Sequence, residues 1–321
     1  MIYDISVVIP TKDREQQLFE SVKSIVSQPG YTNCEVIVVN DGSVYSKRTL
    51  SKLRKFPRFT YFKIKSSGPA KARNIGSLKS RGELLAFIDD DCIADSSWLV
   101  SIKKYFIKQS QQSVFVGGSV KPLEIGASYI NQYLCHIHHL DGPILTEGKI
   151  TNMASANLIV RNVDFKKVKG FDERFPYAGA EDQNLVWKLS KIAKADFSTS
   201  LLVYHNHNIS LSVFINKYRR YGRGVALHNY LAKDGATDSA VYNSYCHTYG
   251  DILTRFNRIL TRAKQTRNRF ESSANLAISA KIIYFFLSII QETAFQIGSI
   301  DMRYDLISHP GKFRILTKKS I

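Results

Sequence analysis

Carboxylates follow two apolar segments of this sequence, close to where buried strands are expected to end. Asp41 comes soon after Glu35–Val39, and Asp89–Asp91 comes directly after Leu84–Ile88. In open α/β sheets, ligands bind in the crevice beyond the carboxyl ends of the strands. Three adjacent carboxylates repel one another there, and a bound divalent cation such as Mg²⁺ or Mn²⁺ relieves the repulsion. The alternative is an acidic turn that caps a helix near Ser96–Trp98.

Basic residues on a predicted helix, Ala70–Ser80, would complement an anionic ligand at the same edge. Lys71 and Arg73 lie in its first turn, after Gly68-Pro69. Because helix N-termini and basic side chains both favour phosphate groups, this segment suits a diphosphate. The alternative is a basic helix face in solvent.

A second acidic pair and a histidine complete the candidate chemistry. Glu181 and Asp182 stand at the start of a predicted helix, where carboxylates also serve as caps. A carboxylate there would alternatively act as the general base that takes a proton from an acceptor hydroxyl. His205 ends the predicted strand Leu201–Tyr204, and a neutral imidazole there would complete a metal site, although a lone histidine is more often structural.

These residues are spaced along an alternating strand and helix pattern. Short β-branched runs, typical of strands buried on both faces, alternate with helical spacing over the first two thirds of the chain. The predicted strands are Ile5–Ile9, Glu35–Val39, Tyr61–Ile64, Leu84–Ile88, Ser113–Val116, Ala156–Val160 and Leu201–Tyr204. The pattern predicts an α/β fold with a mostly parallel sheet and helices on both faces. We expect a catalytic domain over residues 1–210 and a mainly helical region over 211–321.

Charge and cysteine content narrow the class of protein. The chain carries 45 lysines and arginines against 27 aspartates and glutamates, and residues 211–321 alone carry 17 basic and 7 acidic side chains. This excess predicts an anionic partner, although no nucleic-acid-binding motif is present. Four scattered cysteines form neither a disulfide framework nor a zinc ribbon, and the N-terminus does not resemble a signal peptide. We therefore expect a cytoplasmic chain.

The C-terminal region combines basic and apolar segments. Basic residues recur over 255–269, upstream of the apolar run Ile282–Ile290, which Gln291-Glu292 interrupts. A spanning helix needs about 20 apolar residues, so we expect a helix that lies on an anionic membrane surface or packs in a core or homodimer.

Six short motifs occur in one order along the chain. They are Ile9–Thr11, Val38–Ser43, Ala72–Gly76, Phe87–Asp91, Gly170–Glu173 and Glu181-Asp182. In this order they resemble the motifs of family 2 glycosyltransferases, over about Ser6–Gly224. The resemblance implies the GT-A fold, a Rossmann-like mixed sheet flanked by helices. It also implies transfer of a sugar, with inversion, from a nucleotide-diphosphate donor to a hydroxyl of a glycan or lipid-linked acceptor in surface polysaccharide synthesis.

The resemblance also implies donor-binding roles. Pro10, Thr11 and Asp41 would line the nucleobase and ribose pocket of a donor, most simply a UDP-sugar, and Arg73 would lie near its pyrophosphate or uracil. Many members have an aromatic residue at the position of Lys12. Lys12 has no aromatic ring on which the nucleobase could stack.

Metal-binding and catalytic roles follow from the same resemblance. Mn²⁺ or Mg²⁺ would be bound by the pair Asp89 and Asp91, with His205 in support. Asp182 would be the catalytic base, with Glu181 beside it. The basic segment after the domain would supply Arg220 and Arg223 to the departing diphosphate.

Other features weigh against related classes. No QxxRW motif follows the Asp182 helix, which favours single addition over processive synthesis. A sugar-phosphate nucleotidyltransferase would carry a glycine-rich loop after the first strand, and Pro10–Asp13 is not one. A non-enzymatic basic protein that binds membranes or nucleic acid leaves the carboxylates unexplained. His136, His138 and His139 suit an acceptor-site or surface loop better than a metal site.

Overall fold

The structure is a computed structural model that describes residues 3–109, 113–123, 126, 128–137, 140–231, 252–271 and 276–309. The chain divides into two compact units. One unit contains Met1–Tyr177 and Glu181–Asn208, and the other contains Ala178–Ala180 and Ile209–Ile321. The expectation that residues 1–210 form the catalytic domain and residues 211–321 a separate helical region stays a prediction.

The first unit is built on an eight-stranded mixed sheet. The strands are β1 (Tyr3–Thr11), β2 (Cys34–Asp41), β3 (Phe59–Ile64), β4 (Gly82–Ile88), β5 (Cys92–Ala94), β6 (Val114–Pro122), β9 (Asn157–Arg161) and β10 (Lys194–His205), while β7 (Ile144–Thr146) and β8 (Lys149–Asn152) form a separate hairpin. The order across the sheet is β3-β2-β1-β4-β9-β6-β10-β5. β9 runs antiparallel to both neighbours, and β5 runs antiparallel to β10. The other neighbours are parallel, so most strands end at one edge.

Helices cover both faces of this sheet. They are α1 (Glu15–Val26), α2 (Lys47–Leu53), α3 (Pro69–Lys79), α4 (Trp98–Lys108), α5 (Tyr129–His136), α6 (Asn162–Lys167) and α7 (Glu181–Leu189). Val7 of β1 belongs to a core cluster with Leu18 of α1 and Trp98 of α4, whereas Val8 belongs to a cluster with Leu185 of α7. Successive strand residues thus enter opposite cores, which explains the continuous apolar runs.

Within the second unit, the described residues form three long helices. They are α8 (Leu211–Leu231), α9 (Ile252–Glu271) and α10 (Ile278–Ser308), and α10 packs against both α8 and α9. By length and composition alone, α10 is the one described helix that could cross a membrane, over Ile278–Leu306. Core helices of soluble proteins pass the same test. The interrupted run Ile282–Ile290 is therefore part of a 31-residue helix.

The predicted mixed α/β architecture is confirmed, with every predicted strand present. β10 is longer than expected and begins at Lys194. The sequence analysis missed β5 and the β7–β8 hairpin because each contains strands of only three or four residues, too short for periodicity to detect. His138 and His139 lie outside the described residues, so the prediction for that histidine cluster stays open.

Candidate active site

The candidate metal site forms where β5 pairs with β10. Residue His205 is the register partner of Cys92, so the imidazole lies beside the end of the acidic segment. The Nε2 atom of His205 is 3.4 Å from the Oδ1 atom of Asp91. One ligand atom each from Asp91, Cys92 and His205 lies within 4.8 Å of the others, and all three residues are largely buried.

This donor set fits a divalent cation of the Mn²⁺ type. A carboxylate oxygen and an imidazole nitrogen are both accepted ligands of first-row metals. The pKa of the Cys92 thiol lies well above its ordinary value. Burial is the largest cause, and the negative charges of Asp91 and Asp89 raise the pKa further. A raised pKa makes the thiol a weaker candidate ligand than the carboxylate of Asp91 or the imidazole of His205.

Two arginines, Arg14 and Arg73, form ion pairs with the acidic segment. The Nη1 atom of Arg14 lies 2.7 Å from Asp90 Oδ1 and 2.8 Å from Asp91 Oδ2. Asp90 is buried, and its other oxygen accepts a hydrogen bond from Thr11 Oγ1 at 2.6 Å. The repulsion between adjacent carboxylates therefore does not by itself demand a cation.

Buried Arg73 joins the acidic segment to the second acidic pair. Its Nη2 atom donates to Asp89 Oδ1 at 2.7 Å, and its Nη1 atom donates to Glu181 Oε1 at 3.1 Å. Burial lowers the pKa of Arg73, but the two carboxylates outweigh it and raise that pKa above its usual value. The guanidinium group also lies over the ring of Phe171, 5.3 Å from its centroid. The two acidic segments thus meet at one cation.

Asp182 directly follows Glu181 at the start of α7. Burial, followed by the charge of Glu181, raises the pKa of Asp182 to about 7, although Arg73 opposes the shift. Its Oδ1 atom accepts a hydrogen bond from the backbone N–H of Gln183 at 2.8 Å. A carboxylate with such a pKa binds and releases protons near neutral pH, which suits a general base.

The predicted nucleobase residues lie at the carboxyl ends of β1 and β2. Pro10 and Thr11 are buried, and Tyr45 hydrogen-bonds to the hydroxyl of Thr11. The carboxylate of Asp41 accepts hydrogen bonds from the backbone N–H groups of Ser67, at 2.6 Å, and of Gly68, at 3.1 Å. Asp41 therefore ties β2 to the loop before α3.

The two predicted diphosphate arginines lie on α8 in the second unit. Arg220 is exposed, and its Nε atom donates to the carbonyl oxygen of Asn216. Arg223 forms an ion pair with Asp305 and lies 3.9 Å from Asp301. Their predicted role at the diphosphate stays a prediction.

Sequence reasoning assigned no individual role to three members of the candidate site, although Asp90 belongs to the acidic segment that it singled out. Half-exposed Arg14 forms an ion pair with buried Asp90 across 76 residues of sequence, and Cys92 meets His205 only through strand pairing. A partial signal for Arg14 was present, because it is the one arginine between β1 and α1. Nothing in the local sequence indicated the pairing of Cys92.

Comparison with known proteins assigns the chain to a family and a fold. The family model described as glycosyl transferase family 2 matches residues 6–168. A pre-mycofactocin glycosyltransferase of Mycobacterium tuberculosis is 27% identical over 230 residues, which is 70% of this chain and 47% of that protein. The minor teichoic acid biosynthesis protein GgaB of Bacillus subtilis is 31% identical over 108 residues, 32% of this chain and 12% of that protein. This chain thus spans less than half the length of both relatives.

Two solved structures share the architecture. The mannosyltransferase PcManGT from Pyrobaculum calidifontis, in complex with GDP-Man and Mn²⁺, matches with a TM-score of 0.62 and 14% identity, over 95% of this chain and 88% of that one. TarS 1–349 from Staphylococcus aureus, in complex with UDP-GlcNAc, matches with a TM-score of 0.53 and 17% identity, over 94% of this chain and 92% of that one. At these identities the likeness shows the fold, and it confirms the expected GT-A architecture.

Proposed function

Because this chain belongs to glycosyl transferase family 2, we propose that it transfers a sugar from a nucleotide-diphosphate donor to a hydroxyl of a glycan or lipid-linked acceptor. The main support for this proposal is the buried Arg73, whose guanidinium group forms ion pairs with both Asp89 and Glu181. This contact joins the acidic segment that would face the diphosphate to the carboxylate pair that would face the acceptor. Donor and acceptor chemistry would therefore meet at one place.

We propose Mn²⁺ or Mg²⁺ as the cofactor, held by Asp91 with His205 and by Asp89. The 3.4 Å separation of Asp91 Oδ1 and His205 Nε2 supports this assignment. A divalent cation bound there would supply positive charge to the leaving diphosphate. Arg14 and Arg73 already supply fixed positive charge to the same acidic segment.

The proposed reaction is a direct displacement at the anomeric carbon. Asp182 accepts the proton of the acceptor hydroxyl while that oxygen forms its bond to the anomeric carbon. The bond from this carbon to the diphosphate oxygen breaks, and the diphosphate leaves with the electron pair, so the configuration inverts. The pKa of Asp182, raised to about 7 by burial and by Glu181, supports the role of base.

We propose a UDP-sugar as the donor, with Pro10, Thr11 and Asp41 around its base and ribose. The complex of TarS 1–349 with UDP-GlcNAc supports this donor class, while the PcManGT complex keeps GDP-mannose as a competitor. Arg220 and Arg223 would stabilise the departing diphosphate. For Arg223 this requires release from its ion pair with Asp305.

We further propose that the enzyme works in the cytoplasm, on the inner surface of the cell membrane, in surface polysaccharide synthesis. The relationship to a teichoic acid biosynthesis protein supports the pathway class. An exposed apolar stripe on α10, which includes Ile278, Ile282 and Phe286, supports contact with lipid. The basic side chains of α9 supply attraction to an anionic leaflet, about 1 kcal/mol each.

A thermal-shift screen tests the proposed donor and cofactor together. The full chain is heated with UDP-, GDP- or dTDP-sugars, each with Mn²⁺ or with a chelator. A true donor stabilises the folded state in proportion to its binding. We expect the largest increase in Tm for a UDP-sugar with Mn²⁺, and stabilisation that persists with the chelator would contradict metal-dependent binding.

A further inference from the structure

The three residues before the catalytic pair adopt an unusual backbone and pack in the second unit. Gly179 has φ +149° and Ala180 has φ +64°, so two consecutive residues lie at positive φ. A non-glycine residue in the left-handed region costs about 1–2 kcal/mol. Such conformations persist only where the surroundings hold them, and Ala178–Ala180 pack with α8 rather than with the sheet.

α8 approaches this segment backbone to backbone. A Cβ atom placed on Gly224 would lie 1.9 Å from the carbonyl oxygen of Gly179. A Cβ atom placed on Gly179 would lie 3.0 Å from the carbonyl oxygen of Arg220. Glycine inside a helix costs about 1 kcal/mol relative to alanine, and here it permits a contact that any side chain would prevent.

The opposite side of α8 rests on another helix. A Cβ atom on Gly222 would lie 1.9 Å from the carbonyl oxygen of Phe295, and one on Gly298 would lie 1.8 Å from that of Arg219. Residues two apart in a helix point about 200° apart, so Gly222 and Gly224 face opposite directions. α8 is thus held between α10 and the segment Ala178–Ala180.

We propose that Gly224 is a positioning residue for the catalytic pair, acting through its contact with Gly179. The peptide chain runs from Gly179 through Ala180 directly into Glu181 and Asp182, so a displaced Gly179 carbonyl moves the start of α7. This inference rests on the proposed role of Asp182 as the base. A misplacement of about 1 Å in a reacting group costs about 100-fold in rate.

Gly224→Ala and Gly222→Ala form a matched pair that tests the proposal. Each variant adds one methyl group to α8, and in each the new Cβ atom would lie 1.9 Å from a carbonyl oxygen. In Gly224→Ala that oxygen belongs to Gly179, before the catalytic pair, whereas in Gly222→Ala it belongs to Phe295 of α10. Turnover is followed as UDP released from UDP-GlcNAc with Mn²⁺ and is expressed per folded site counted by UDP titration. We expect kcat to fall about 10–100-fold in Gly224→Ala with UDP affinity unchanged, and to stay near wild type in Gly222→Ala.

A second measurement needs no turnover. Hydrogen–deuterium exchange of the peptide 178–190 is expected to rise in Gly224→Ala and to stay unchanged in Gly222→Ala. Gly179→Ala adds a Cβ atom 3.0 Å from the carbonyl oxygen of Arg220 and also strains a backbone at φ +149°. Because both effects displace the same segment, it is expected to show the same kinetic signature. Equal exchange in both α8 variants, or wild-type kcat per folded site in Gly179→Ala, would overturn the proposal.

Asp182→Asn separates this inference from the proposed function. If Asp182→Asn keeps normal turnover, the base assignment fails whatever Gly224→Ala does. If Asp182→Asn is inactive while Gly224→Ala matches Gly222→Ala in kcat, only the positioning role fails.

Discussion

The Nε2 atom of His205 lies 3.4 Å from the Oδ1 atom of Asp91, although 114 residues separate them in sequence. The antiparallel pairing of β5 with β10 creates this proximity. Asp91 directly precedes β5, and its carbonyl oxygen accepts a hydrogen bond from the backbone N–H of Asn206 at 2.9 Å, so backbone hydrogen bonds hold it beside the end of β10.

Asp91→Asn is expected to remove most of the stabilisation that UDP and Mn²⁺ give together, because a neutral amide is a poor metal ligand. Turnover should fall with it, and calorimetric titration of UDP with and without Mn²⁺ measures the binding loss. Asp95→Asn is the matched control, since Asp95 accepts a hydrogen bond from Ser97 N–H that asparagine also accepts. Binding of UDP to wild type that is indifferent to a strong chelator would count against the metal site.

Asp182→Asn is expected to lower kcat by at least about 100-fold while leaving UDP affinity near wild type, the pattern of a lost transition-state interaction. In wild type the carboxyl is protonated and inactive as a base below its pKa of about 7. The kcat should therefore rise with pH between about 6 and 8 and then level off.

Single-turnover rates at constant ionic strength check both parts of this prediction. A flat profile across pH 6–8, or near-normal turnover in Asp182→Asn, would move the base to Glu181.

Arg73→Met is expected to destabilise the protein by about 3–5 kcal/mol, because it leaves Glu181 buried without its cation and removes the partner of Asp89. Urea unfolding measures this loss. Lys71→Met on the same helix is the control: its ion pair with Glu173 is exposed and should contribute less than about 1 kcal/mol. Adding Glu181→Gln to Arg73→Met should recover part of the stability, and equal losses in the two single variants would contradict the prediction.

His228 on α8 makes the stability of the protein depend on pH. It is 1% exposed, neither ring nitrogen has a hydrogen-bond partner among the described residues, and burial lowers its pKa to about 4. The unfolded chain, with a histidine pKa near 6.5, binds the proton first as pH falls. His228 should therefore cost about 2 kcal/mol of stability between pH 7.5 and pH 5.

His228→Phe removes the titrating group and is expected to lose less stability over that range than wild type does. Its stability at pH 7.5 should equal or exceed that of wild type, because an unpartnered buried polar group is gone. Urea unfolding at both pH values measures this, with the exposed His309→Gln as control. Identical pH dependence in wild type and His228→Phe would refute the prediction.

Membrane attachment is expected to depend on the exposed stripe of α10. Full-length protein should sediment with phosphatidylserine vesicles at low salt and be released at high salt, since screening weakens the basic attraction. Ile282→Gln with Phe286→Gln should reduce sedimentation, because both side chains are exposed. Leu211→Gln with Val213→Gln, exposed positions on α8, should not.

A wild-type protein that ignores these vesicles and elutes as a dimer would support the alternative that the α10 stripe packs against a second copy. The same double variant would then elute as a monomer.

Patterns in the sequence were sufficient to indicate the family, seven of the eight strands of the central sheet and the order of the acidic motifs. Uninterrupted apolar runs such as Ile5–Ile9 are stable only between two helix layers, so periodicity identified the sheet. Asp89 and Asp91 stood out as candidates because they follow an apolar strand, and Asp182 stood out through its place at a helix start and in the ordered motifs. These properties are local, and local sequence carries them.

Contacts between residues far apart in the sequence became visible only in the folded chain. The contact of Arg73 with Glu181 spans 108 residues, and that of Arg14 with Asp90 spans 76. Neither has a local signal, because ion pairs depend on how the strands are arranged in the sheet. The contact between Gly224 and Gly179 was equally invisible in the sequence. A glycine inside a helix is consistent with close packing, but only the structure shows that the neighbour of Gly224 is the backbone that leads into Asp182.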